Sequence, residues 1–304
     1  MTTAEIASRG LILRGSVGST AHGLHLAGTD DRDEMGVAVE PPDRVIGLVE
    51  FEQHIHRTAE ERLKHNPSAD QRAHGRTPPS QPGDLDLTVY SLRKYTRLAA
   101  NGNPTVQILL FVKPLFINRF GRRLRSNARL FASKEAGARF LGYLSAQGER
   151  LLGQRGQMRV TRTELVKRHG YDTKFAMHAV RLGMQGVEYL KTGRLTLPMG
   201  EGREYCMSVR LGEVSLAEVV RSIERLEKEI CVLTYGQPEV PDKASERRDY
   251  SQGKSPLQDH ADREHIDRML VGVYTEAWRE LWGLARAKAG ACEVSERSSR
   301  RRGR

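Results

Sequence analysis

The chain changes from strand-forming to helix-forming sequence near residue 91, and this change limits the folds open to it. Short apolar segments with strand character occur at residues 11–14, 35–39 and 45–55. Apolar and polar residues alternate over residues 84–89, the period-two pattern of a half-buried strand. From Ser91 almost to the end the pattern is helical. The segments that connect the strands are rich in turn-forming residues, which favours a small mixed sheet over regular βαβ repeats. The expected fold class is therefore α+β.

Several of the predicted helices are marked by their ends. Asp172 is suited to cap a helix that ends near Thr192, and Ser215 is suited to cap one that ends near Tyr235. A last helix carries apolar residues along one stripe, at Ile266, Leu270, Val273, Ala277, Leu281 and Leu284. The second half of the chain is therefore expected to form a helical domain.

We expect an αβ domain over residues 1–118 and a mainly helical domain over residues 119–290. Within the first, residues 56–83 contain four prolines and few apolar side chains. Because such a composition cannot supply a core, this segment is expected to be a mobile polar loop. Residues 291–304 form a basic tail of the kind that is usually disordered.

Composition and charge narrow the class of protein further. The 304 residues carry 49 Lys and Arg against 38 Asp and Glu, a net charge of +11, which favours partners that bear phosphate, such as nucleotides or nucleic acid. The chain has no apolar run of about 18 residues, so no membrane span is expected. Cys206, Cys231 and Cys292 are too scattered for a disulfide framework or a zinc cluster. With no secretory-type start, we expect a reduced, cytoplasmic protein, and its oligomeric state stays open.

Two pairs of carboxylates have the spacing of metal ligands. If Asp31 and Asp33 lie at the start of a strand, they project from the same face, because the side-chain period of a strand is two. Asp84 and Asp86 have the same relation on a later strand. Close carboxylates repel unless a cation lies between them, and hard oxygen ligands suit Mg²⁺. Three such acids could hold two ions, one beside an attacking hydroxyl and one beside a leaving pyrophosphate.

A glycine-serine turn precedes the first acidic pair. Gly18 and Ser19 follow a strand-like segment, where backbone N–H groups can approach a phosphate without an intervening Cβ. Ser16 is an alternative phosphate ligand, but the interval from Ser19 to the acids fits better. The turn is not a P-loop, since no Gly-Lys-Ser/Thr follows the first glycine at the required spacing.

These segments together resemble the DNA polymerase β-like nucleotidyltransferase superfamily, in its branch of "predicted nucleotidyltransferases" from bacteria and phages. The resemblance spans roughly residues 11 to 200. It rests on four blocks in order, which are Gly18–Gly23, Thr29–Val37, Tyr90–Tyr95 with Gly102–Pro104, and Tyr171–Lys174 continuing through His178 and Arg181 to Leu197–Pro198.

The resemblance implies a palm-like αβ domain that transfers a nucleoside monophosphate from a triphosphate to a hydroxyl and releases pyrophosphate. It implies that Gly18 and Ser19 bind the triphosphate, with two Mg²⁺ ions, or Mn²⁺ in their place, as cofactors. The implied metal ligands and catalytic residues are Asp31, Asp33 and Asp86. Asp84 is the reserve for the third acid, because the long polar segment upstream blurs the alignment.

The helix that begins after Asp172 adds an argument from its own residues. Lys174, His178, Arg181 and Gln185 fall on one side of a helical wheel, away from an apolar side. A basic stripe of this kind, facing the αβ domain, could bind the triphosphate or an RNA backbone. The alternative is an ordinary solvated helix face.

Three functions follow from these expectations. The first is nucleotidyl transfer to the 3′ hydroxyl of a nucleic acid, with a tRNA-like or other RNA favoured by the basic charge. The second is nucleotidylation, for example AMPylation, of a protein or small molecule. The third is a catalytically idle module that binds nucleotide or RNA, against which the intact acids argue. The nucleotide preferred and any use of a template stay open.

Overall fold

The computed structural model describes residues 1–26, 32–65, 81, 83–153 and 162–284 of the chain. The strands in this part are β1 (Leu11–Ser16), β2 (Arg32–Ala38), β3 (Gln53–Arg57), β4 (Leu85–Ser91) and β5 (Pro114–Ile117). The helices are α1 (Thr3–Arg9), α2 (Gly18–His22), α3 (Pro42–Val45), α4 (Thr58–His65), α5 (Leu92–Ala100), α6 (Pro104–Gln107), α7 (Arg119–Ser126), α8 (Glu135–Leu151), α9 (Thr163–His169), α10 (Thr173–Thr192), α11 (Arg203–Leu211), α12 (Leu216–Tyr235) and α13 (Arg263–Trp282).

The five strands form one mixed sheet in the order β3-β4-β2-β1-β5. Strands β2 and β4 run parallel in the centre of the sheet, and the other neighbouring strands are antiparallel. Because a parallel pair has its strand starts at the same edge, residues at the beginning of β2 and β4 lie side by side. The mixed sheet and the helical remainder confirm the expected α+β class.

The two faces of the sheet are covered by different parts of the chain. On one face, α1 packs Ile6 and Ala7 against Ala38 and Val89. On the other face, residues such as Val37 join a core that continues into the helical half of the chain. The side of the sheet that carries Asp33 and Asp86 is therefore the side that meets the helices.

The helical half is organised around α10, which packs against α8, α11 and α12. Its ends are the predicted ones, because Asp172 accepts hydrogen bonds from the first-turn N–H groups and Gly193 takes the left-handed conformation that follows Thr192. Helix α12 is likewise capped by the Ser215 side chain. Both predicted helices are confirmed. No helix in the described residues is long and apolar enough to cross a membrane.

The last helix returns from the helical half to the sheet. Tyr274 donates a hydrogen bond of 2.8 Å to the buried Glu40 carboxylate. The indole N–H groups of Trp278 and Trp282 donate to the backbone carbonyl oxygens of Glu40 and Val39, at 2.8 and 3.2 Å. Both tryptophans therefore anchor α13 to the end of β2.

The third strand begins later than the sequence pattern suggested. A strand was expected over residues 45–55, but α3 ends at Val45 and the strand β3 starts at Gln53. Ile46 and Leu48 are exposed, so their apolar spacing does not reflect burial in the sheet.

The polar segment expected as a loop over residues 56–83 begins with regular structure. It contains the end of β3 and the helix Thr58–His65. The sequence there consists largely of good helix formers, and Arg57 forms an ion pair with Glu60 one turn on. Residues 66–80 and 82 lie outside the described part of the chain.

Candidate active site

Two predicted acids meet at the edge of the sheet where β2 and β4 begin. Asp33 on β2 and Asp86 on β4 are direct partners in the parallel register, and both side chains are half-buried. Neighbouring strands lie about 4.8 Å apart, so the two carboxylates share one small region of the same face. This arrangement of hard oxygen ligands suits a divalent cation.

The remaining acids of the predicted set differ in position. Asp84 precedes β4 and is buried, and its carboxylate accepts a hydrogen bond of 2.6 Å from the backbone N–H of Gln81. It stabilises the turn before the strand, while Asp86 faces Asp33. Asp31 lies outside the described residues. Within the described residues, no group of three His, Cys, Asp or Glu side chains is arranged to hold a metal ion.

Asp33 and Asp86 line a cavity of about 350 Å³ between the sheet and the helical half. Its size falls within the range of small-ligand sites. Its walls come from the three strands β2, β3 and β4, from the turn after β1, from α6 and the turn that follows it, and from α10. The lining residues are Val17, Gly18, His22, Asp33, Glu34, Met35, Ile55, Arg57, Asp86, Leu87, Thr88, Tyr90, Thr105, Ile108 and Arg181.

The glycine-serine turn lies directly against the Asp33 carboxylate. Gly18 has a φ of +64°, and a Cβ added to it would lie 2.1 Å from the Asp33 Oδ2 atom. Both the backbone conformation and the close approach therefore require glycine. The Val17 N–H donates to the Asp33 carbonyl oxygen at 2.8 Å, which fixes the turn to β2. Ser19 is half-buried at the start of α2 and does not line the cavity.

The opposite wall of the cavity is formed by a contact between α2 and α10. The Arg181 guanidinium donates to His22 Nε2 at 2.6 Å and to the Gln185 side-chain oxygen at 3.0 Å. The Gln185 amide nitrogen lies 3.0 Å from His22 Nδ1. His22 thus joins the turn that follows β1 to the predicted basic stripe, so this part of the stripe faces the αβ half rather than solvent.

His22 is neutral at neutral and mildly acidic pH. Burial, together with the nearby cationic Arg181, lowers its pKa to about 2. Because arginine only donates, the His22 Nε2 atom accepts, and a proton there would face the guanidinium. The role of His22 is to position Arg181 and the turn.

Arg181 brings a positive charge to the cavity and forms no ion pair with a carboxylate in the described part of the chain. Its hydrogen-bond partners are the neutral side chains His22 and Gln185. Burial lowers the pKa of Arg181 to about 10, so it stays protonated at neutral pH. A half-buried guanidinium with neutral partners favours an anionic ligand, and phosphate is the group that arginine binds best.

The other members of the basic stripe extend away from the cavity along α10. Lys174 and His178 do not line it, and at 1.5 Å per residue Lys174 lies about 10 Å from Arg181 along the helix axis. Burial, with the positive charge of Arg181 and Lys174, lowers the pKa of His178 to about 3. His178 therefore contributes no charge near neutral pH.

The structure thus brings together four of the predicted site residues, which are Gly18, Asp33, Asp86 and Arg181. Sequence reasoning did not assign Arg57, Thr88 or Thr105 to the site. Thr88 could have been predicted as a site residue from the alternation of β4, because its side chain lies on the same face of the strand as Asp86. Arg57 was assigned to the polar loop, and Thr105 reaches the cavity only through the packing of α6.

The mixed sheet, the glycine turn against Asp33 and the paired acids are the features expected of a nucleotidyltransferase of the polymerase β type. A model of the RNA repair pathway DNA polymerase beta family matches residues 2–210, and the chain belongs to this family. The superfamily expected from the sequence is confirmed.

The chain is similar to a nucleotidyltransferase-like protein of known crystal structure from Exiguobacterium sibiricum 255-15, with 13% identity and a TM-score of 0.29, over 95% of this chain and 94% of that chain. No sequence among the curated proteins matches this chain.

Proposed function

We propose that the protein transfers a nucleoside monophosphate from a nucleoside triphosphate to the 3′ hydroxyl of an RNA and releases pyrophosphate. The observation that carries this proposal is the cavity in which Asp33 and Asp86 lie side by side on one wall and Arg181 lies on another. The RNA repair description of the family and the net charge of +11 support RNA as the acceptor.

In this proposal the residues that line the cavity have separate roles in the reaction. Asp33 and Asp86, with Asp31 as the expected third ligand, would hold Mg²⁺, which when bound polarises phosphate oxygens and lowers the pKa of a hydroxyl. Gly18 gives the triphosphate a close approach to the backbone, and Arg181 neutralises its charge. The acceptor oxygen forms a bond to the α-phosphorus while the bond from that phosphorus to the pyrophosphate oxygen breaks, and the hydroxyl proton leaves to solvent.

The test is to follow label from each of four α-labelled ribonucleoside triphosphates in Mg²⁺, with and without a mixture of small RNAs. Label is expected in RNA that ends in a 3′ hydroxyl, and not in the same RNA blocked by a 3′ phosphate. The Asp33→Asn variant is expected to abolish the labelling.

Other outcomes identify the other candidate functions. Label in the protein, or label that appears only when a small molecule is added, would replace RNA as the acceptor and favour nucleotidylation. Nucleotide binding without transfer to any acceptor, unchanged in Asp33→Asn, would favour an idle binding module and contradict the proposal.

A further inference from the structure

One long stretch of the chain is basic and contains no acid. Residues 87–134 include ten Lys or Arg and no Asp or Glu. Ion pairs with carboxylates from other parts of the chain neutralise six of the ten, which are Arg93, Lys94, Arg97, Arg119, Arg123 and Lys134. Within the described residues no ion pair is formed by the other four, which are Lys113, Arg122, Arg125 and Arg129. Part of this positive charge is therefore left for a partner.

Three of these four cations lie around one turn at the edge of the sheet. The Arg125 Nε atom donates a hydrogen bond of 3.0 Å to the carbonyl oxygen of Leu110, three residues before Lys113. Arg122 precedes Arg125 by three residues in α7, so both side chains lie on the same side of that helix. Lys113 and Arg122 are exposed, and Arg125 is half-buried. Because Lys113 immediately precedes β5, we call these three residues the β5–α7 basic surface.

Strand β5 adds apolar side chains next to these cations. It is an edge strand of the sheet and pairs with β1. Two of its consecutive residues are exposed, Leu115 by 58% and Phe116 by 44%. Proteins bind single-stranded nucleic acid with this combination of groups, because bases stack on an exposed ring while cations neutralise the phosphates.

The β5–α7 basic surface lies a short distance from the paired acids. Gly15 of β1 pairs with Met35 of β2 and with Pro114 of β5. Pro114 is therefore about 10 Å from Met35, across two strand spacings, and about 12 Å from Asp33. A stacked strand of nucleic acid advances about 3.4 Å per nucleotide, so a strand that ends at Asp33 would reach β5 about four nucleotides from its end.

We propose that the three cations of the β5–α7 basic surface, together with Phe116, bind single-stranded RNA about four nucleotides from its 3′ end. The cations neutralise phosphates, and a base stacks on the Phe116 ring. The proposal rests on the proposed function in taking RNA as the ligand. It adds a requirement that nucleotidyl transfer does not have by itself, because an acceptor shorter than about four nucleotides cannot reach this surface.

The first experiment measures RNA binding where transfer is blocked. The probe is a fluorescent single-stranded RNA of about twelve nucleotides with a 3′ phosphate, long enough to pass β5, and its affinity is followed by anisotropy over a range of KCl concentrations. Lys113→Gln/Arg122→Gln removes two exposed cations and keeps the hydrogen bond of Arg125. We expect the affinity to fall about tenfold and the slope of log affinity against log salt to decrease by about 1.4, as for two lost phosphate contacts.

The aromatic side chain is tested separately from the charges. Phe116→Ser is expected to weaken binding about tenfold without changing the salt slope, because stacking releases no counterions. Circular dichroism spectra check that each variant is folded. The matched controls are Arg221→Gln/Lys228→Gln on α12, which removes two exposed cations, and Val271→Ser on α13, at a valine that is 66% exposed. Both controls are expected to bind RNA as the parent does.

A second experiment tests the length requirement. Transfer is measured to a dinucleotide and to the longer RNA, each with a free 3′ hydroxyl. In Lys113→Gln/Arg122→Gln, KM for the longer RNA is expected to rise about tenfold, while KM for the dinucleotide stays that of the parent.

The outcomes separate the RNA surface from the proposed function. A parent that transfers nucleotide to RNA, with folded variants equal to it in affinity, salt slope and KM, overturns the surface alone. A parent that binds RNA through these residues but transfers to no RNA overturns the proposed function alone. A parent that binds no RNA overturns both.

Two further outcomes would replace the occupant of this surface. Double-stranded RNA that binds as tightly as the single strand, with Phe116→Ser equal to the parent, would overturn the assignment to single-stranded RNA. A Phe116→Ser variant that changes the oligomeric state and leaves RNA binding unchanged would show that β5 contacts a second copy of the chain, and would overturn the stacking role.

Discussion

Asp33 and Asp86 are direct register partners on two parallel strands, although they lie far apart in the chain. Their pairing depends on the crossover between β2 and β4, which brings the starts of both strands to one edge of the sheet. Asp84, only two residues before Asp86, is buried in the turn that precedes β4. The position of the acid relative to the strand start therefore determines whether it faces Asp33 or supports a turn.

This difference predicts unequal effects of two similar substitutions. We expect Asp86→Asn to lower the rate of nucleotidyl transfer at least about a hundredfold, because removing a metal ligand costs several kcal/mol of transition-state stabilisation. Asp84→Asn keeps an oxygen that can accept from the Gln81 N–H, so its rate is expected to stay within about threefold of the parent. The measurement is the single-turnover rate of each variant, and circular dichroism spectra check that both variants are folded. Equal losses would contradict the assignment of Asp86.

A second prediction concerns the glycine turn. In Gly18→Ala the new methyl group would occupy the space of the Asp33 Oδ2 atom, and the positive φ adds a cost of about 1 kcal/mol. We expect a lower free energy of unfolding and a loss of transfer activity, because the Asp33 carboxylate must move. Gly142→Ala on α8 is the control, since a Cβ there meets no atom within 4 Å. Its stability is expected to equal or exceed that of the parent.

The sequence predicted those parts of the fold that depend on neighbouring residues. Asp172 and Ser215 cap helices by bonding to N–H groups two or three residues away, and such contacts can be read from spacing alone. The alternation in β4 likewise predicted a strand with Asp86 on one face. The prediction placed the start of the third strand too early because it took the apolar spacing of Ile46 and Leu48 as a sign of burial. Both side chains are exposed, since apolar spacing predicts burial only where other structure covers the segment.

The site was harder to predict because its walls meet through tertiary packing. Whether Asp84 or Asp86 is the third acid depends on the register in which β4 pairs with β2. That register cannot be read from a single sequence. The contact between His22 and Arg181 joins α2 to α10 across the two halves of the chain. The helical wheel of α10 predicted a basic face, but it could not show that Arg181 is the one basic residue of that face that lines the cavity.

The histidines predict how stability depends on pH. The pKa values of His22 and His178 are lowered to about 2 and about 3 from the ordinary 6.5, so the unfolded chain binds more protons below pH 6.5. Stability is fully present above that pH and falls as the pH drops, by roughly 1 kcal/mol per histidine between pH 7 and pH 5.5. Urea denaturation of His178→Gln should show a shallower fall than the parent. A parent with constant stability over this range would contradict the prediction.

The anchor of the last helix gives a prediction about stability away from the cavity. The Glu40 carboxylate is buried, which raises its pKa, and it accepts hydrogen bonds from Tyr274 and from the Leu92 N–H. Tyr274→Phe removes one donor from this buried acid, and we expect a loss of about 1–3 kcal/mol in the free energy of unfolding. Tyr143→Phe, at a tyrosine that is 38% exposed, is the control and should change stability by less than about 0.5 kcal/mol.

Arg181 predicts how the protein binds the phosphates of its substrate. We expect Arg181→Gln to weaken binding of tripolyphosphate and of nucleoside triphosphates to a similar extent, about tenfold to a hundredfold, because a charge-assisted contact to phosphate is lost. Arg279→Gln, at an exposed arginine on α13, is the matched control and should bind as the parent does.

A second measurement separates loss of charge from loss of fold at Arg181. The guanidinium is one cause of the low pKa of His22, so that pKa should rise in Arg181→Gln, although burial still holds it below its ordinary value. The proton resonances of His22, followed through an acid titration, report this change directly. If phosphate affinity is retained in a folded Arg181→Gln protein, the triphosphate does not lie against Arg181, and this wall of the cavity must hold another ligand.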